Sequence, residues 1–271
     1  MYRKKMDIKK LFDLSEKTVI ITGGAGLLGS QYADGLSQVG ANIVLADIDF
    51  KSCKALSQKL EKKYHNSVLP IKLDLTDQKS IKNMVEKTMK KFVTIDVLIN
   101  NAAFQGNPGK ERQIKLEDLP SSIWNKAISV NLTGLFLSCQ EVGKIMKKQK
   151  NGVIINIAST YGIVAADQRI YGKSGQNSAV YYAATKSAII NFTRYLASYW
   201  RGTGIRVNTL SPGGVENNQG IEFIKNYSYK TMLGRMAKKN EYVGAILFLA
   251  SNASSYMTGS NLVVDGGWTA W

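Results

Sequence analysis

The sequence predicts an α/β protein whose single domain is a parallel, doubly wound sheet, and three observations carry that prediction. Short apolar runs alternate with amphipathic segments as far as residue 264, with no internal repeat and no compositional break to mark a second domain. The first apolar run passes directly into a glycine-rich turn and then a helical pattern. With 271 residues, 44% of them apolar, the chain is long enough for one large domain with a substantial core.

In chain order, residues 1–15 read as a polar N-terminal arm and 16–271 as the domain. Residues 18–21 form a short buried strand that runs into Thr22-Gly23-Gly24-Ala25-Gly26-Leu27-Leu28-Gly29, and a helix follows over about 28–39. Gly24, Gly26 and Gly29 give a strand-to-helix Gly-x-Gly-x-x-Gly, whose backbone can approach a pyrophosphate at a helix N-terminus. The next strand, 41–46, ends in Asp47. A carboxylate there accepts hydrogen bonds from both adenosine ribose hydroxyls and repels a 2′-phosphate, which favours NAD over NADP. Asp49 competes for that role, and either aspartate serves equally well as a helix cap.

A strand at 67–73 delivers Asp74 and Leu75, placed for an adenine-side contact, although Thr76 or Asp77 here fits an N-cap as well. The strand at 95–99 stops at Asn100-Asn101-Ala102-Ala103. A polar connection over 104–120 carries Gly106, Pro108 and Gly109 and is long for a strand-to-helix loop. The helix after it holds Trp124 and Asn131, and an asparagine in mid-helix calls for a kink or a function. A strand over 152–158 presents Ser159, and a second polar segment containing Gln168, Arg169 and Lys173 leads to a helix with Tyr182 and Lys186. A strand at 205–210, the turn Ser211-Pro212-Gly213-Gly214, a polar stretch to 232, a helix over about 241–250 and a strand at 262–264 complete the alternation.

Tyr182 and Lys186 stand four residues apart and so share a helix face. An ammonium beside a phenol favours phenolate and brings its pKa down towards the working pH, as a general acid and base requires. Tyr181 has Thr185 at the same offset and lacks that partner. In a chain with 13 tyrosines such a pair also arises as a solvated helix face, so its neighbours decide its meaning.

Composition narrows the function further. The net charge of +16 raises nucleic acid or an acidic membrane as partners, but the lysines are scattered over helix surfaces and form no arginine-rich, aromatic-interleaved stripe. No nucleic-acid or membrane partner is therefore expected, only an attraction for anionic ligands. Two cysteines without ligand spacing and one histidine exclude most metal and triad chemistry and suit a reducing cytoplasm. No apolar run approaches the roughly 18 residues of a membrane span.

Taken together in order, the glycine loop, Asp74, Asn100-Asn101-Ala102, Asn131, Ser159, Tyr182 with Lys186, Pro212-Gly213 and the closing Val264-Asp265-Gly266-Gly267 resemble the short-chain dehydrogenase/reductase superfamily over nearly the whole chain. The resemblance implies a single-domain Rossmann enzyme that moves a hydride between NAD and an alcohol or ketone. It implies that Tyr182 exchanges a proton with the substrate oxygen and that Ser159 hydrogen-bonds that oxygen. Lys186 would bind the nicotinamide ribose and lower the tyrosine pKa, and Asn131 would hold a water that relays protons to Lys186. Gly23, Gly24, Gly26, Leu27, Leu28, Gly29, Asp47, Asp74, Leu75, Asn101, Ala102, Tyr182, Lys186, Pro212, Gly213 and Val215 become the expected cofactor contacts.

Three departures from the family pattern stand out: Leu27 replaces a usual glycine, Asn217 stands where many members have threonine, and the 23-residue spacing from Ser159 to Tyr182 is wide. That wide spacing and the closing segment look most like oxidoreductases of flagellin modification and surface-glycan biosynthesis, with gluconate-type sugar-acid dehydrogenases also similar. Both long inserts are polar, which points to a polyhydroxylated small molecule with Gln168 and Arg169 as its contacts and Arg169 or Lys173 near any anionic group, or equally to solvated loops. Residues 216–232 would close over the substrate, and the apolar tail resembles a subunit-contact region of a homodimer or homotetramer, although a folded-back core strand explains it as well. The competing readings are a 3-oxoacyl carrier-protein reductase and, from another class, a non-catalytic NAD-sensing or nucleic-acid-associated protein.

Overall fold

In the computed structural model, which describes residues 7–107 and 109–271, alternate residues of each buried strand face opposite sides of one sheet. Val19, Ile21, Ile43, Leu45, Val97 and Ile99 join one apolar core, while Ile20, Val44, Leu98 and Ile154 join the other. A strand covered on both faces is apolar at most positions, which is why these segments read as near-continuous hydrophobic runs. Residues 1–6 of the predicted arm, and Pro108, lie outside the described residues. The rest of the arm holds a short helix, α1 (Ile8–Leu11), and Leu14, which is buried and donates its N–H to Val39 O at 3.2 Å.

The elements follow as β1 (Thr18–Thr22), α2 (Gly29–Gln38), β2 (Asn42–Asp47), α3 (Phe50–Tyr64), β3 (Val68–Lys72), α4 (Gln78–Phe92) and β4 (Val97–Asn100). The second half comprises α5 (Ser121–Ile128), α6 (Gly134–Gln149), β5 (Gly152–Ile157), α7 (Val180–Tyr199), β6 (Ile205–Pro212), α8 (Ile221–Tyr229), α9 (Val243–Ala250) and β7 (Asn261–Val264). All seven strands are parallel, in the order β3-β2-β1-β4-β5-β6-β7. Helices α2, α3 and α9 cover one face and α4, α6 and α7 the other.

Local chemistry sets the helix starts. Asp49 caps α3 by accepting the Ser52 N–H at 3.0 Å, and Asp77 caps α4 through the Lys79 N–H at 2.8 Å. In α4 the buried Ile81, Met84, Val85 and Thr88 recur at three and four residues, which holds one stripe against the sheet. Because β1 lies between β2 and β4, the strand order reverses there and a crevice opens beyond the carboxyl ends of the strands. The glycine loop leaves β1 on one side of that crevice, and Asn101 leaves β4 on the other.

Candidate active site

That crevice is a cavity of about 1110 Å³. One end is lined by Gly23, Gly26, Leu27, Leu28, Asp47, Asp74 and Leu75, and the other by Ser159, Tyr182 and Lys186. Asn101, Ala102, Pro212, Gly213 and Val215 also border it. The space exceeds the few hundred Å³ of an ordinary small-molecule site and accommodates a dinucleotide with a substrate beside it.

At the glycine loop the residues divide into two groups. Gly23 takes a positive φ of 64°, and a Cβ there would stand 2.9 Å from Ala102 Cα. Gly24 and Gly29 do not line the cavity, contrary to their expected role as contacts. A Cβ on Gly29 would come 2.1 Å from Gly23 O, and one on Gly24 would meet Leu45, so these two glycines permit the loop to pack against α2 and β2. The Asn101 side chain donates to Thr22 O at 3.1 Å and Gly23 O at 3.0 Å, fastening the ends of β4 and β1 together. Asp47 accepts the Ala25 N–H at 3.1 Å and the Asp49 N–H at 3.1 Å, whereas Asp49 is spent as the α3 cap. Asp74 likewise turns one oxygen onto Thr76, which holds its carboxyl below the usual range.

At the other end, α7 begins at Val180, so Tyr182 sits in its first turn and Lys186 one turn further. Lys186 is 3% exposed and donates to Ile157 O at 2.6 Å. Burial pushes its pKa down to about 8. That carbonyl is its one protein partner among the described residues, which leaves two N–H groups of a buried ammonium free in the cavity. Ribose hydroxyls would satisfy them, so the residues present fit a nicotinamide dinucleotide.

The Tyr182 phenol behaves otherwise than the pairing with Lys186 implied. Burial raises its pKa, opposed by the Ser159 hydroxyl and by the charge of Arg112, and Lys186 is not among the groups that move it. The ammonium lies 5.6 Å from the Tyr182 ring centroid and is drawn to the Ile157 carbonyl instead. The neighbouring Tyr181 is fully buried against Phe104 and does not line the cavity, and its hydroxyl has no hydrogen-bond partner among the described residues.

Asn131 lies in a π-helical turn, Ser129–Thr133, inserted between α5 and α6, a local distortion that recurs at functional sites. Its Oδ1 accepts the Phe104 N–H at 2.6 Å, and its Nδ2 donates to Phe104 O at 3.0 Å and Thr185 Oγ1 at 3.2 Å. Both amide hydrogens are thus committed, so the side chain clamps the start of the 104–120 connection and has no donor left for a water facing Lys186.

The expected substrate contacts are corrected. Gln168 is exposed and bonded to the Ser178 main chain, and Arg169 is exposed and forms a two-pronged pair with Asp167 at 2.8 Å on each prong. Neither lines the cavity, nor does Lys173. The cation that does so from an insert is Arg112, joined by Tyr171, Ser174, Gln176 and Ser178. Helix α8, read from sequence as a polar stretch, docks on the second insert: Lys230 pairs with Asp167, and Asn226 donates to Ile170 O at 3.3 Å. Tyr227 stacks on Trp268 with ring centroids 4.2 Å apart, so that part of the apolar tail folds back into the chain's own core.

A family model described as enoyl-(acyl carrier protein) reductase matches residues 24–269. The chain is 36% identical to the 3-oxoacyl-[acyl-carrier-protein] reductase FabG of Thermotoga maritima, over 94% of this chain and 98% of that protein. It is 32% identical to a D-threitol dehydrogenase of Mycolicibacterium smegmatis, over 95% of each. It is 30% identical to the post-translational flagellin modification protein A of Campylobacter coli, over 94% of this chain and 99% of that one. Among solved structures, a short-chain dehydrogenase of Leptospira borgpetersenii with bound NAD+ superposes with a TM-score of 0.84 at 37% identity, over 99% of both chains. A gluconate 5-dehydrogenase of Burkholderia cenocepacia in complex with NADP and tartrate gives 0.87 at 28%, over 98% of this chain and 100% of that one. Likeness over the full length, in sequence and in fold, makes the chain a member of the short-chain dehydrogenase/reductase superfamily and an NAD(P)-dependent oxidoreductase.

Proposed function

We propose that this oxidoreductase prefers NAD and interconverts an alcohol and a ketone on a polyhydroxylated small molecule of sugar or sugar-acid type, in the making of a surface glycan. The observation that carries the reading is the convergence of Ser159, Tyr182 and Lys186 at one end of a cavity whose other end is the glycine loop and Asp47. The nicotinamide dinucleotide, when bound, supplies the hydride acceptor or donor. Tyr182 gives a proton to the substrate oxygen in reduction and takes it in oxidation. Ser159 holds that oxygen, and Lys186 presents its two free N–H groups to ribose hydroxyls. Asn131 positions the substrate loop through Phe104, and a water passing protons to Lys186 would bind its main-chain carbonyl or the remaining lone pair of Oδ1. Asp47 faces the adenosine ribose with a negative charge that disfavours a 2′-phosphate.

The polar lining from Ser174, Gln176 and Ser178 supports a hydroxylated substrate, and the relatives acting on threitol, gluconate and flagellin support the sugar reading. A homodimer or homotetramer is supported by Phe136, Tyr195 and Tyr199, which are exposed on α6 and α7. No helix among the described residues is long and apolar enough to cross a membrane. A second reading, reduction of a 3-oxoacyl carrier-protein substrate, is favoured by the Thermotoga relative and the charge of +16, which would attract an acidic carrier.

The test is a cofactor-absorbance screen of polyols, keto sugars, sugar acids and an acetoacetyl thioester, with NAD and NADP in parallel. Turnover of a hydroxylated substrate with NAD is expected, and Tyr182→Phe should lower it by about 10²–10⁴-fold while NAD binding persists. Full activity in Tyr182→Phe would refute the mechanism, and activity confined to the thioester with NADPH would establish the second reading.

A further inference from the structure

Among the described residues, Arg112 is a cation at the substrate end of the cavity without a carboxylate partner. The cations beside the second insert and the tail are paired: Asp167 takes Arg169 and Lys230, and Glu241 takes Arg235. Arg112 forms no such pair; its one side-chain hydrogen bond is a long one, Nη2 to the Tyr171 hydroxyl at 3.4 Å. The guanidinium is half-buried, with its carbon 5.9 Å from the Tyr171 ring centroid. Most of its five donors are therefore unused in a partly dehydrated cavity.

The backbone beneath it is fixed from two sides. Arg112 O accepts the Asn177 N–H at 2.8 Å, and Asn177 Nδ2 donates to Ile114 O at 3.0 Å, which ties the 104–120 connection to the segment before Tyr182. Arg112 N in turn donates to Asn107 O at 3.4 Å. Its neighbour Glu111 turns back to accept the Asn107 N–H at 2.8 Å and so leaves the guanidinium uncompensated. Glu222 on α8 also lines the cavity, but it lies against Gly172, where an added Cβ would stand 2.2 Å from Glu222 Oε1. Of the other two cations lining this end, Lys186 is held by Ile157 O, and Lys126 is exposed over the Phe104 ring at 4.8 Å and is screened by water.

We propose that Arg112 is the specificity-determining residue of the substrate end and binds a carboxylate of the substrate, so that the enzyme acts on a hydroxy or keto acid in preference to the neutral polyol of the same chain. A planar fork matches a carboxylate in two parallel hydrogen bonds, and a guanidinium already held in place loses little freedom on binding. Arg112, Ser159 and Tyr182 border the same cavity, so an acid held by the guanidinium shares that space with the reacting groups. The inference rests on the oxidoreductase reading and refines its substrate.

The experiment compares tartrate with threitol, which share a four-carbon chain and two inner hydroxyls, in the NAD+-loaded protein. Calorimetry gives the binding ratio of the two, and cofactor absorbance gives the ratio of kcat/KM. Wild type should favour the acid, and Arg112→Met should reduce the acid-to-polyol ratio by about ten- to a hundredfold, the range of a hydrogen-bonded charge pair. Arg112→Lys should retain part of the preference, and Arg169→Met should retain all of it. A wild type indifferent to the carboxylate, a preference for a phosphate ester over the acid, or an equal loss on both ligands in Arg112→Met would overturn the proposal. These outcomes leave Tyr182→Phe as the separate judge of the oxidoreductase reading, because the binding ratio does not depend on turnover.

Discussion

Lys186→Met should make the cofactor-free protein more stable near neutral pH. The ammonium is 3% exposed, has one protein hydrogen bond, and has its pKa lowered from 10.5 to about 8 by burial. At about 1.4 kcal/mol for each pH unit, that depression corresponds to roughly 3 kcal/mol of unfavourable burial below pH 8. Its sign follows from proton counting. Below pH 8 the lysine is charged in folded and unfolded chains alike, and the cost is fully present. Between about 8 and 10.5 the unfolded chain binds more protons, so wild-type stability rises with pH, and above 10.5 both forms are neutral and the cost is gone. Methionine removes the charge but also the bond to Ile157 O, about 1 kcal/mol because that carbonyl borders the cavity and water can reach it. The variant should therefore gain about 2 kcal/mol at pH 7 and lose that advantage by pH 10.5. Urea unfolding of both proteins without cofactor at pH 7, 8.5 and 10 measures the difference, in which all other titrating groups cancel. A difference independent of pH would refute the reasoning. If Lys186 holds the ribose as proposed, the same variant should have lost most of its turnover.

Two further outcomes follow from the site. Asp47→Ser removes the carboxylate proposed to face the adenosine ribose and should shift the NADP-to-NAD ratio of kcat/KM by at least about tenfold, read in parallel assays; an unchanged ratio would place the discrimination elsewhere. Asn131→Ala breaks three hydrogen bonds at a buried position and leaves the Phe104 N–H and C=O without those partners, while Thr185 keeps its bonds to Tyr181 O and Tyr182 O. It should cost about 2–4 kcal/mol in urea unfolding and lower kcat more than NAD affinity.

The sheet was legible because a parallel strand covered on both faces has no polar alternation to obscure it. The segment read as 152–158 is β5 (Gly152–Ile157), and that read as 262–264 is β7 (Asn261–Val264). That Tyr182 and Lys186 reach one cavity from one helix was legible because helix periodicity fixes which residues share a face. Helix α8 was missed because its packing is long-range: Tyr227 stacks on Trp268, and Phe223 lies 5.2 Å from Tyr171, so its apolar face is matched by residues scattered over the second insert and the tail. The local signal, Phe223, Ile224 and Tyr227 at helical spacing, was present in 221–229 all the same and was passed over in reading the whole stretch as polar.

Within loops there is no period to say which side chain turns inward, and that is where the reading of Arg169 went astray. The signal that separates it from Arg112 is electrostatic and partly local. Asp167 stands two residues before Arg169 and accepts both its main-chain N–H and its guanidinium, so that cation is neutralised on the surface by its own turn. Arg112 also has an acidic neighbour, but Glu111 is consumed by the Asn107 main chain, and nothing in the linear order reveals that. In a chain of net charge +16, the mere presence of an arginine near a site carries little information. What marks a ligand-binding cation is that the fold has buried it partway and left its donors without a carboxylate, since such a group is stabilised only by what arrives from outside.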